Sequence, residues 1–188
     1  MKKTLTFLFG LFCLTSAITL FAGKPVTVKS GNISVLKESS TAHLEIDFSN
    51  AKVDNKSLAE HLRNSKDESL KDLNDAKGMA EFYFTARFNN YSGKRMYIKE
   101  DVQDVDYKIV VRVSSIDVGN DAGAFIPYAP ATAGGMALFG TVDIIDMNTK
   151  NVVCTINVEN LKGESSPSIR LRMILAFQQL AESMRKLK

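Results

Sequence analysis

The chain has 188 residues, with 24 Lys and Arg against 21 Asp and Glu, a formal net charge of +3 and a hydrophobic share of 45%. That length supports one domain with a real core. The charge lacks the strong basic excess of a nucleic-acid binder or a polybasic membrane-surface protein, and two cysteines are too few for a disulfide scaffold.

In chain order, Lys2 and Lys3 precede an apolar run from Leu5 to Phe21, and Ala22 and Gly23 then lead into Lys24 and Pro25. Charged, apolar and small residues in that order read as a secretory signal over residues 1–22, cut after Ala22. A retained anchor is the competing reading, because about 17 apolar-leaning residues approach the lower limit for spanning a bilayer. A lipoprotein signal at Cys13 fails, since Phe12 stands where a small residue is needed. Cleavage leaves 166 residues and removes two lysines and no acid, so the net charge falls from +3 to +1. No membrane span remains. Cys154 becomes the sole thiol, and its setting, Val152 to Ile156, predicts a buried cysteine on a strand.

Residues 23–40 read as a lead-in with one marginal strand, and residues 41–188 as a single domain. His43 to Phe48 alternates strictly, placing Leu44, Ile46 and Phe48 on one face and His43, Glu45 and Asp47 on the other. Asp54-Asn55 then provides a cap for a helix over Ser57 to Arg63, followed by a charged, solvated stretch over 64–75. Phe82, Phe84 and Phe88 alternate like a strand, yet Ala80, Phe84, Phe88 and Tyr91 recur at helical spacing. Asp72 and Asp75 before this segment and Ser92-Gly93 after it favour a helix over 76–91. The β-branched density of Tyr107 to Val118 predicts a central strand. A second strand spans Gly135 to Asp146, and a third, Val152 to Val158, returns after a turn at 147–151. Joined without helices, the three form an antiparallel meander. Ser166 as N-cap and Pro167 at the first turn predict a final helix over 167–186. It carries Met173, Phe177, Leu180, Met184 and Leu187 on one stripe, while Arg172, Gln179, Glu182, Ser183 and Lys186 face away. The mixed polar face favours packing on the sheet over membrane binding. The fold class is α/β (α+β): a mixed sheet with an antiparallel meander and helices layered on it, in the order β-α-α-β-β-β-α.

The stretch from Asp104 to Val113, the turn at Asp117-Val118-Gly119-Asn120, the small residues Gly134 to Ala137, and Val142 to Thr149 together resemble the DUF4410-like exported bacterial envelope proteins of unknown function. That group is similar in layout to the TolB amino-terminal and CsgG periplasmic domains. The resemblance spans residues 41–188 in layout and is specific over 104–149. Its motifs are structural, an acid and an aromatic leading into a strand, and an Asp-x-x-Thr turn. The chain departs from the pattern at Thr149-Lys150, where Thr-Gly is expected. The resemblance implies an envelope protein that docks on partners or self-assembles.

No sequence pattern assigns a catalytic residue, a cofactor or a metal. His43 and His61 lack the convergent ligands of a zinc site and the third group of a triad, and read as solvated surface histidines. Glu100, Asp101, Asp104 and Asp106 lack the spacing and glycine of an EF-hand loop and read as a solvated lead into the strand. Asp143 and Asp146 point to opposite faces and make no acid–base pair. The aromatic and basic interleaving from Phe82 to Lys99 would suit single-stranded nucleic acid, but export and near-neutrality favour core packing with a snorkelling rim. The connector from Gly119 to Ala133 joins strands that need only a short turn, and it carries Phe125, Ile126 and Tyr128 with almost no charge. Such a loop either folds back over the sheet or offers a contact surface. The expected function is therefore a non-enzymatic envelope module that meets another protein or a second copy of itself through this loop and a sheet edge. The alternative is a periplasmic binding domain for a small or glycan ligand, and an enzyme ranks third.

Overall fold

The computed structural model describes residues 24–65, 71–90, 95–119, 135–166 and 168–188. The leader, Pro167 and the connector with Phe125, Ile126 and Tyr128 lie outside the described residues. In chain order come β1 (Val26–Gly31), a 3-10 turn (Ile33–Lys37), β2 (Thr41–Asp47), β3 (Lys52–Val53), β4 (Lys56–Ser57), α1 (Leu58–Arg63), α2 (Leu73–Asn89), β5 (Tyr97–Lys99), β6 (Tyr107–Asp117), β7 (Gly135–Asp146), β8 (Val152–Ser165) and α3 (Ile169–Arg185). The strands form one mixed sheet in the order β1-β8-β7-β6-β2-β5, with the β3–β4 hairpin off its path. The β6–β7, β7–β8 and β8–β1 pairs are antiparallel, whereas β2 runs parallel to both β6 and β5. The expected mixed sheet, its meander and its helical layer are all present.

Strand alternation decides what is buried. Leu44, Ile46, Ile109, Val111, Val142, Ile144, Cys154 and Ile156 point from the central strands into the core, where Phe84 and Phe88 of α2 and Met173, Phe177 and Leu180 of α3 meet them. Phe48 meets Phe177 edge-on at 5.8 Å, and Phe84 stacks on Phe88 at the same centroid distance. Residues 26–37 belong to this core, through β1 and through Val35 and Leu36 of the 3-10 turn. The opposite sheet face carries polar side chains that satisfy one another. Lys108 pairs with Glu45 at 2.6 Å, and Asp143 accepts from Arg112 and from the Thr155 hydroxyl.

Several local expectations are corrected. The cap of α1 is Ser57, whose hydroxyl accepts from Glu60 N–H. Asp54 and Asn55 instead take φ of 49° and 64° as the two central residues of the β3–β4 hairpin, the left-handed pair that a two-residue turn requires. Asp72 caps α2, which therefore begins at Leu73, and Ser168 rather than Ser166 caps α3. β8 continues to Ser165 instead of ending at Val158, because Gly163 lets the strand lie against α3: a Cβ there would stand 2.7 Å from Ala176 N. In the β7–β8 turn Lys150 itself adopts φ 60° at the position where glycine was expected. Arg172, expected to face away, is 1% exposed and donates to Val118 C=O at 2.6 Å, at the end of β6.

Candidate interaction surface

The residues singled out from the sequence are mostly structural where they are described. Asp106 accepts from Thr41 N–H and Oγ1 at 2.8 and 2.9 Å and so ties the start of β2 to β6. Those bonds hold its carboxyl below the usual range. The Asp146 carboxyl is lowered in the same way by the Thr149 and Asn148 amides, which form its turn. Cys154 is buried, and burial together with nearby Asp143 raises its thiol, which keeps it protonated and inert. His43 is half-buried rather than solvated, and its enclosed Nδ1 has no hydrogen-bond partner among the described residues. No three His, Cys, Asp or Glu side chains among the described residues are placed to hold a metal. No described helix is long and apolar enough to cross a membrane.

The two ends of the sheet differ. At the β2–β5 end, Asn89 of α2 donates to Ile98 C=O at 2.8 Å and accepts from Ile98 N–H at 2.9 Å. Glu81 accepts from Ile46 N–H at 3.2 Å beyond the end of β5. Side chains of the covering helix thus occupy the backbone groups that another strand would need. The same end holds a groove of about 500 Å³ over His43, Thr85 and Lys99, flanked by Phe82 and Tyr97. These two rings are 62% and 55% exposed, which corrects the expectation that they join the core.

At the other end β1 is open. Glu159 N–H donates to Pro25 C=O, and Thr27 lies opposite Asn157. This register turns the N–H and C=O groups of Val26 and Val28 away from β8. Nothing among the described residues accepts or donates along that line. Beside it lies a second groove of about 500 Å³, floored by Val26 and Val28 and walled by Ser183, Lys186 and Leu187 at the end of α3. Val26 is buried, while Val28 is 37% exposed. Sequence reasoning pointed to a sheet edge without saying which one, because edge position is decided by β1 pairing with a strand about 130 residues away.

No family model and no curated protein matches the chain. Among solved structures the chain is similar to the PelC dodecamer from Paraburkholderia phytofirmans, at 14% identity with a TM-score of 0.48, over 87% of this chain and 98% of that one. It is also similar to a leucine-to-methionine variant of that dodecamer, at 15% identity with a TM-score of 0.43, over 85% and 95% of the two chains.

Proposed function

We propose that this is an exported, non-enzymatic module of the cell envelope that binds another protein chain by strand addition at β1. The observation that carries the reading is the asymmetry of the sheet. One edge is closed by Asn89 and Glu81, and the other leaves the backbone groups of Val26 and Val28 without a partner among the described residues, beside a groove. Strand addition draws affinity from main-chain hydrogen bonds and selectivity from the side chains that enter the adjoining groove. The charged, apolar and small residues of positions 2–23 support export, and fractionation with amino-terminal sequencing of the exported protein tests it.

The interaction is tested by placing a photo-crosslinking residue at Lys29 beside the open edge and, separately, at Lys99 beside the closed one. Lys29 is expected to give a discrete product and Lys99 none. Val28→Pro is expected to remove that product without unfolding the protein, because the Val28 N–H makes no bond to β8 and proline is tolerated at such edge positions. A Lys29 product that survives Val28→Pro would overturn the reading.

A second reading, a small ligand held between Phe82 and Tyr97, is favoured by their exposure across the other groove. It predicts ligand-dependent thermal stabilisation that Phe82→Ala removes and Val28→Pro leaves intact.

A further inference from the structure

We infer that the partner segment at β1 is an extended peptide with acidic side chains; this identity rests on the strand-addition reading above. The groove limits the occupant in three ways. Along β1 it offers the outward N–H and C=O groups of Val26 and Val28, spaced two residues apart, which match the ladder of an extended chain and not of a helix. Across from them, the last turn of α3 stands over the strip where alternate side chains of an added strand would fall, with Val28 and Leu187 supplying apolar contact.

The third limit is charge. Lys24, Lys186 and Lys188 line the groove and no acidic residue does, while Lys29 is exposed on the same strand. Glu182, the nearest acid on α3, is engaged by Arg87 and Lys186. Lys24, Lys29 and Lys188 make no ion pair among the described residues. Neutrality of the whole chain thus conceals a local cationic rim. The rim also disfavours pairing two β1 edges, since that would gather two like-charged rims in one interface, and like-charge juxtaposition suppresses a partner.

The test uses the purified protein with three acetylated nine-residue peptides, followed by fluorescence anisotropy. One alternates glutamate and valine, one has lysine in place of each glutamate, and one is the glutamate peptide with alternate backbone amides methylated. The glutamate peptide is expected to bind, to weaken in high salt, and to outbind the lysine peptide by about tenfold or more. The methylated peptide is expected not to bind, and Val28→Pro to abolish binding. Lys24→Glu with Lys188→Glu should reverse the order of the two charged peptides while leaving the melting temperature unchanged. Equal binding of both charged peptides, each lost with Val28→Pro, overturns the acidic partner and leaves strand addition standing. The same division follows if no peptide binds while Val28→Pro still removes the Lys29 cross-link. A cross-link that survives Val28→Pro brings down both. A homodimer that the glutamate peptide cannot dissociate assigns the edge to a second copy and also overturns the inference.

Discussion

Replacing Arg185 with methionine removes a cation from the place where three segments of backbone converge. Arg185 is 7% exposed. It donates to Phe88 C=O at 3.0 Å and Met96 C=O at 2.7 Å, and reaches Leu36 C=O at 3.5 Å. Its guanidinium carbon also lies 3.9 Å from the centre of the Phe88 ring. Phe88 C=O is one of the terminal carbonyls of α2 that have no partner within their own helix, so the guanidinium acts as a charged cap there. Hydrogen bonds to a charged group contribute about 1.5–3 kcal/mol each, and the bond at 3.5 Å contributes little. The ring contact adds about 1 kcal/mol. Methionine keeps much of the apolar stem and avoids the cost of burying a charge, but leaves two enclosed carbonyls without donors. The expected net loss is about 3–4 kcal/mol. In urea unfolding with a slope near 2 kcal/mol per M, the midpoint should fall by about 1.5–2 M. Arg185→Lys, which keeps the charge but not the planar fork, should recover less than half of the loss. A midpoint within about 0.3 M of the parent for Arg185→Met would refute the view that this side chain holds α3 to the end of α2 and to Met96 before β5.

Three further outcomes follow from the structure. Bonds from Lys186 and Arg87 lower the Glu182 carboxyl to about 2. Its contribution to stability is thus complete above the unfolded value near 4.5 and disappears as pH falls from there through about 2; Glu182→Gln should flatten the stability–pH profile in that window, as read by thermal unfolding. At Gly140 an added Cβ would stand 2.1 Å from Arg112 C=O, backbone that cannot swing aside, so Gly140→Ala should cost about 3 kcal/mol or more by denaturant titration. Asn89→Ala frees both backbone groups of Ile98; stability should drop by about 2 kcal/mol, and light scattering should reveal concentration-dependent aggregation through the uncovered edge.

Much of the fold was legible because its strongest signals are local. β7 runs over Gly135–Asp146 and is followed by a turn, as the sequence predicted, and α2 resolved as a helix because Asp72 caps it. Signals that depend on distant partners were not legible. Arg172 reads as solvent-facing from its own helix, and only the carbonyl at the end of β6, brought in by the fold, explains its burial. Phe82 reads as core from composition, yet the helical period that buries Phe84 and Phe88 leaves it at the surface. The open edge is harder still, since Val26 to Gly31 is a weak strand by composition and its exposure comes from lying last in the sheet. The apolar connector drew the attention of sequence reasoning, while the groove at β1 draws on residues from both ends of the domain.

Strand addition is tested most directly by the amide exchange of three neighbouring residues. In the dilute protein, the Val26 and Val28 amides should exchange with little protection while Thr27, bonded into β8, is protected; on addition of the glutamate peptide or a cross-link partner, Val26 and Val28 should gain protection together. Val28 already protected in the dilute protein, or unchanged when the partner binds, would contradict the account.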